Sequence, residues 1–473
     1  MKVGSYIVCI EKSKGAMSFC FRLGADHGLW CSFLLPLCLL PYAITPNSGV
    51  YRLLFTVCIW LIISGYLWEN LFLCKIKHNV PANYICYILA IPASAVVWYI
   101  HPWSIWFSFI VCCFMMVYYN LLISILLTNC PRTFTLGEVQ IIAQGILLFI
   151  LSCILSLLNE LDIFPDKSLQ NIIPVSVKFM QVLLLGCLLL VYVLHKFTQI
   201  RHGLSFHICC VSFGLLMLLV WSYVLDENPV MWLLLFCLKN KIRIFLLLFW
   251  VVSTFTSIFF VIWINQVQNQ KVSTITRKYF HIIVNAVFIP GIIYDLELLH
   301  LASGIALTVF IVLEMYRVLD VYIIGPAINN AFQIFLDEKD SGVLILTHIY
   351  LLIGCSCPLW LYPYSLTKGY HICLLSGIIS VGFGDTAAAL GGSLFGKHFW
   401  KNSKKTFEGT ACAIVSQLVC CYPFLSVGHT FSIWNILLVT TSIIFTSLLE
   451  ATTSQVDNLV LPLFMFSFLS WIQ

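Results

Sequence analysis

The stretch Val381 to Thr410, VGFGDTAAALGGSLFGKHFWKNSKKTFEGT, holds one aspartate followed by four lysines, three threonines and a glutamate. Asp385 stands inside an apolar run, where an ionised carboxylate costs at least about 2.5 kcal/mol at a bilayer centre. Such a group calls for a cation: an ammonium partner, a bound metal, or the water of a cavity. Ala387, Ala388, Ala389, Gly391, Gly392, Ser393 and Gly396 then make one helix small-sided, so another helix or a ligand can approach its backbone. Beyond it, Lys397, Lys401, Lys404 and Lys405 are compact charges suited to a polyphosphate. Thr406 and Thr410 offer hydroxyl donors, and Glu408 is a candidate ligand for Mg²⁺ or another divalent cation. Together these residues outline nucleotide chemistry without a Walker loop. Each feature alone has a plainer explanation, because basic loops beside a membrane meet anionic lipid and small residues serve helix packing. An aspartate, a small-sided helix and a Lys-Lys-Thr-Phe-Glu-Gly turn within one hairpin favour a site.

The elements that must position these residues are membrane helices. Of 473 residues, 61% are hydrophobic and only 10% are charged, against about 25% charged in an ordinary soluble domain. Apolar runs of about 20 residues, long enough for a hydrocarbon core of about 30 Å, recur almost end to end. They predict an all-α, polytopic integral membrane helical bundle with about 15 transmembrane helices. The spans fall near 29–45, 50–68, 80–100, 102–127, 136–158, 172–195, 204–225, 243–265, 278–294, 298–317, 343–361, 370–391, 408–428, 431–449 and 458–472. Val321 to Leu336, with Pro326 and two asparagines, reads as an interfacial or broken helix. Val230 to Leu238 is short enough for a re-entrant segment. The 21 cysteines are scattered through apolar runs without a zinc-like spacing, which makes them packing residues.

Lys and Arg favour one set of alternate loops by roughly three to one, which predicts a cytosolic N-terminus. The segment Lys239 to Arg243 is the main exception. This parity puts Lys271 to His281, Asp337 to Gly342, Gly396 to Gly409 and Glu450 to Asn458 on the cytosolic side, where they could build one site. The expected division is therefore a scaffold or lipid-groove region over 1–265 and a catalytic region over 266–473. Met1 to Leu23 lacks the apolar core of a removable signal peptide, so the first span is expected to do the targeting.

Other polar residues carry open readings. Arg277, Lys278 and His281 share a helix face; they could meet phosphate or be span anchors with a bonded histidine. Glu314 and Arg317, three apart, read as an intrahelical ion pair. Asp337, Glu338 and Asp340 are either metal ligands or an acidic turn capping a helix at Ser341. His348 reads as packing, and Glu450, Asp457 and Asn458 flank a turn.

The run GDTAAALGGSLFGK, with KKTFEGT after it, resembles the CTP-binding region of dolichol kinases and, more distantly, phytol kinases and CDP-diacylglycerol synthases. RKYFH at 277–281, DEKDSG at 337–342 before LTHIYLLIG, and DNLVLPL at 457–463 are similar to the same family. The resemblance covers about the last 200 residues. It implies phosphoryl transfer from CTP to the terminal hydroxyl of dolichol, giving dolichyl phosphate for protein glycosylation, with a divalent metal such as Mg²⁺, at the endoplasmic reticulum membrane. On that reading Lys397, His398, Lys401, Asn402, Ser403, Lys404, Lys405, Thr406, Phe407, Glu408, Gly409 and Thr410 bind CTP. Lys404 and Lys405 meet its phosphates, Asp385 and Glu408 hold the metal, and His281 meets phosphate or activates the lipid hydroxyl. No nucleic acid partner is expected. A CDP-diacylglycerol synthase would transfer cytidylyl instead, but its closing pattern, Lys-Asp then His-Gly-Gly and Asp-Arg, is missing after Gly409. Another prenol kinase, or more remotely a transporter, remains open.

Overall fold

The computed structural model describes residues 20–45, 48–73, 83–100, 103–160, 174–201, 203–268, 279–321, 324–333, 339–340, 342–363, 371–401, 403–427 and 432–472. Seventeen α-helices occupy them, with no β-strand among the described residues beyond an isolated bridge between Phe399 and Thr406. Each stretch expected to span contains a helix. Ten are long and apolar enough to cross a membrane, and six shorter apolar helices accompany them. The all-α polytopic reading therefore holds.

Packing divides the chain into two compact units. The first is Met1–Ile172 with Ser341–Val343 and Ser454–Val456; the second is Ile173–Asp340, Leu344–Thr453 and Asp457–Gln473. The expected division of roles at 265/266 falls inside the second unit. The first unit contains α1 (Leu34–Ala43), α2 (Gly49–Leu73), α3 (Asn83–Ile100), α4 (Ile105–Asn129) and α5 (Leu136–Glu160). Asn120 on α4 donates to Ser64 Oγ at 3.0 Å and to Cys86 Sγ at 3.1 Å, joining α2, α3 and α4 through buried polar groups. A polar bond is strongly retained where no water competes for it.

The second unit begins with α6 (Val175–Lys196), α7 (Gly203–Leu225), α8 (Pro229–Leu238), α9 (Lys241–Gln268), α10 (Tyr279–Tyr294), α11 (Leu296–Val318), α12 (Ile324–Gln333) and α13 (Thr347–Leu361). It closes with α14 (Thr386–Phe395), α15 (Phe407–Val427), α16 (Ile433–Thr452) and α17 (Asp457–Leu469). α8 and α12, at 10 residues each, reach about 15 Å, half of a span. For α8 that agrees with reading Val230 to Leu238 as a short segment; of the Val321 to Leu336 stretch only 321 and 324–333 are described. Arg243, in the segment that ran against the charge bias, bonds Asp295 at 2.7 Å and Glu297 at 3.1 Å.

Glu314 and Arg317 form the expected intrahelical pair at 2.6 and 2.8 Å, and Glu314 also accepts the Ile345 N–H at 2.7 Å. Asp340 accepts the Leu346 N–H and the Thr347 hydroxyl at the entry to α13. Ser341, Asp337 and Glu338 lie outside the described residues. His348 sits between the rings of Phe310 and Phe332, as packing requires.

α13 and α17 meet closely at Gly354. A Cβ there would stand 1.9 Å from the Asn458 carbonyl oxygen and 2.9 Å from Pro462 Cγ. Because the nearest obstacle is backbone, Gly354→Ala is expected to cost about 1–3 kcal/mol. Thermal unfolding of the detergent-solubilised variant should begin at a lower temperature than wild type; an unchanged transition would mean that this contact gives way freely.

Candidate functional site

Before α14 the chain makes a 3-10 turn at Ile372–Leu375 and then wide π turns over Ile378–Asp385. Such widened turns are uncommon and often mark functional positions. Two glycines allow the close packing here. A Cβ on Gly382 would fall 1.8 Å from Asn285 Oδ1, and one on Gly384 would fall 2.4 Å from Gln417 Nε2. The turns end at Asp385, which is 8% exposed. His281, in the first turn of α10 and 6% exposed, brings its Nε2 to 3.3 Å from Asp385 Oδ2. Neither of its ring nitrogens has a hydrogen-bond partner among the described residues.

The carboxylates that converge on Asp385 come from far along the chain. Asp385, Glu450 in the last turn of α16 and Asp457 at the start of α17 each offer an oxygen, all within 4.8 Å of one another. Lys405 reaches the same place: its Nζ lies 2.6 Å from Glu450 Oε1, 3.6 Å from Asp457 Oδ2 and 2.5 Å from the Glu450 carbonyl. Lys339 Nζ bonds Asp457 Oδ1 at 2.7 Å. Three carboxylates thus face two ammonium groups, with the His281 imidazole beside Asp385. Burial disfavours the Lys405 ammonium, but Asp457 and Glu450 outweigh it and hold the group above the ordinary lysine value. Lys405 is therefore charged at neutral pH.

Hard oxygen donors grouped this closely fit Mg²⁺, which is commonly held by one or two carboxylates together with substrate phosphates. Asp385, Glu450 and Asp457 are the donor set that this arrangement supplies. Glu408 is not brought to it. Its carboxylate bonds His398 Nδ1 at 2.6 Å, and Gly409 beside it packs against Gly392. Seven residues of helix separate Gly392 from Asp385, about 10 Å along the axis. The expected Asp385–Glu408 ligand pair is therefore not formed; closeness in sequence becomes distance along a helical hairpin.

The remaining motif residues build a small turn between α14 and α15. Trp400 N–H donates to the Lys405 carbonyl and Phe407 N–H to the His398 carbonyl, each at 2.9 Å. The Trp400 and Phe407 rings stack 4.0 Å apart, and Trp400 Nε1 donates to Thr410 Oγ1 at 3.0 Å. Thr406 Oγ1 accepts the Gly409 N–H at 3.1 Å, capping α15. Ser403 Oγ accepts the Lys405 N–H at 3.1 Å. The two threonine hydroxyls expected to meet a ligand thus have partners inside the loop. Lys397, Lys401 and Lys404 are exposed, whereas Lys405 turns inward. Asn402, Arg277 and Lys278 lie outside the described residues.

From sequence alone Glu450 and Asp457 are residues flanking a turn and Lys339 is one more loop charge. A glutamate at the end of an apolar helix, seven residues before another carboxylate, was the available signal.

Fold and site together define a polytopic membrane protein with a carboxylate and lysine cluster at the end of its helices. The family model for dolichol kinase matches residues 13–404. The human dolichol kinase is 33% identical over 482 aligned positions, covering 96% of this chain and 87% of its own. The mouse dolichol kinase is 35% identical, covering 74% and 67%, and the Arabidopsis thaliana dolichol kinase EVAN is 30% identical, covering 74% and 66%. The chain belongs to the dolichol kinase family. The likeness extends well upstream of the last 200 residues, into helices whose apolar composition carried no motif. No solved structure matches it.

Proposed function

We propose that this chain is a CTP-dependent dolichol kinase that transfers the γ-phosphate of CTP to the terminal hydroxyl of dolichol. It would act at the endoplasmic reticulum membrane, with its loops facing the cytosol, and supply dolichyl phosphate for protein glycosylation. The observation that carries the reading is the meeting of Asp385, Glu450 and Asp457 with Lys405, the inward lysine of KKTFEG.

Asp385, Glu450 and Asp457 would hold Mg²⁺ or another divalent cation, whose charge would offset the negative charge of the donor phosphates. Lys397, Lys401, Lys404 and Lys405 would bind the triphosphate, within the wider loop of His398, Asn402, Ser403, Thr406, Phe407, Glu408, Gly409 and Thr410. Lys405 leaves its carboxylates for the phosphates once another cation balances them. His281, beside Asp385, hydrogen-bonds the acceptor hydroxyl. The prenol oxygen forms a bond to the γ-phosphorus while the bond from that phosphorus to the β,γ-bridging oxygen breaks, releasing CDP and the hydroxyl proton. Positioning and charge neutralisation supply most of the rate in such a transfer.

The test incubates purified protein with dolichol, Mg²⁺ and CTP labelled separately at the γ- and α-phosphates. Label reaching the lipid only from the γ position is expected. Label from the α position would indicate cytidylyl transfer, and no label from either would refute the reading.

A further inference from the structure

We infer that Asn285 binds the hydroxyl of the lipid alcohol beside His281, an inference that rests on the transfer proposed above and names a residue that tells an alcohol from a hydrocarbon. Every residue involved lies in the second unit. His281 and Asn285 stand four residues apart on α10, so their side chains leave one face of the helix in successive turns. That face lies along the π turns before α14. His281 Nε2 is 3.3 Å from Asp385 Oδ2, and a Cβ on Gly382, three residues before Asp385, would fall 1.8 Å from Asn285 Oδ1. Asn285 therefore continues the His281–Asp385 contact by one helical turn, about 6 Å farther along α10.

Asn285 Oδ1 is buried and has no hydrogen-bond partner among the described residues. An asparagine in a membrane helix can serve simply to join two helices through its amide. Here the neighbour is Gly382, which has no side chain to bond. Gln417, the amide set against Gly384 of the same turns, does bond across helices: its Nε2 donates to Ser447 Oγ at 3.0 Å. A buried amide oxygen without a donor costs free energy, which an arriving hydroxyl recovers. Its position also suits a ligand that comes from the lipid. On α10, His281 and Phe288 are 6% and 3% exposed, whereas Ile282 is 52% exposed. At 100° per residue Asn285 falls between the buried and the open side, and it is half-buried. An alcohol entering from the hydrocarbon thus meets the amide at the rim of the buried face, one turn from His281 and Asp385. A chain without the hydroxyl offers the oxygen nothing, so the amide selects the alcohol.

The test uses full-length protein in detergent. Binding of radiolabelled dolichol, in competition with the same hydrocarbon lacking its hydroxyl, is measured without CTP. KM for dolichol and for CTP is measured separately. Wild type is expected to prefer the alcohol by about tenfold. Asn285→Leu should lose most of that preference and raise KM for dolichol about tenfold, with KM for CTP unchanged. Its unfolding temperature should be equal or higher, because leucine replaces a buried oxygen that has no donor. An asparagine that only joined helices would behave in the opposite way, with a lower unfolding temperature and the preference intact. Equal binding of alcohol and hydrocarbon by wild type, or a preference kept by Asn285→Leu, would overturn the inference. Should Asn285→Leu fail to fold, Asn285→Ala decides in its place by the same preference: its loss supports the inference and its retention overturns it. Because the binding measurement needs no turnover, absence of γ-label transfer by wild type counts against the kinase reading alone.

Discussion

Asp385→Asn is expected to lower transfer of the γ-phosphate to dolichol by about a thousandfold while leaving the protein folded. Asparagine matches aspartate in size and keeps a carbonyl oxygen toward His281, so packing around the π turns is preserved. What changes is charge. Asp385, Glu450 and Asp457 are three carboxyl groups against the two ammonium groups of Lys339 and Lys405. Without the Asp385 charge, two carboxylates face two ammonium groups and the attraction for a divalent cation largely disappears. Removing one charge from a buried group of like charges should leave the unfolding temperature equal or higher. Mn²⁺ titration should therefore weaken together with turnover while stability does not. Glu408→Gln is the comparison: Glu408 serves the exposed His398 contact, so its loss should lower the rate by no more than about tenfold. A variant at Asp385 with wild-type turnover, or a larger loss at Glu408, would remove Asp385 from the proposed donor set.

The contrast between these carboxylates shows what a sequence of this kind discloses. Span positions were legible because burial in lipid demands long apolar runs whatever the partners are. Pairing between helices was not, because helices such as α4 and α7 are apolar all round and their periodicity names no preferred face. Asp385 stood out as a charge inside an apolar run. Its partners did not, since Glu450 and Asp457 lie at helix ends, where polar residues are ordinary. The KKTFEG motif identified the right loop but not the division of labour within it. Lys404 and Lys405 are adjacent and chemically alike, yet one side chain is exposed and the other meets two carboxylates. The turn set by the Trp400–Lys405 and His398–Phe407 backbone bonds decides which of them points inward.

Lys405→Met separates two roles that the geometry gives to one ammonium group. As counter-ion, Lys405 balances Glu450 and Asp457, and its removal leaves neighbouring carboxylates uncompensated. Breaking a fully buried pair costs about 3–5 kcal/mol. The Lys405 side chain is 31% exposed, so solvent screening reduces this to roughly 2 kcal/mol. The variant should unfold at a lower temperature in the absence of divalent ions. Added Mg²⁺ supplies the missing positive charge, so millimolar Mg²⁺ should return most of the lost stability. Turnover should not return with it. If Lys405 moves to the donor phosphates during the reaction, no ion held by the carboxylates can replace it there, and kcat/KM for CTP should stay about a hundredfold below wild type even where the unfolding temperature is normal. Recovery of both quantities with Mg²⁺ would make Lys405 a counter-ion only, and phosphate binding would then rest on the exposed lysines Lys397, Lys401 and Lys404. The raised proton affinity of Lys405 also makes a simple pH effect an unsuitable explanation for either outcome. Its stabilising charge is complete below the ordinary lysine value and is lost only as pH rises beyond its elevated folded one, so the ammonium persists throughout the neutral range.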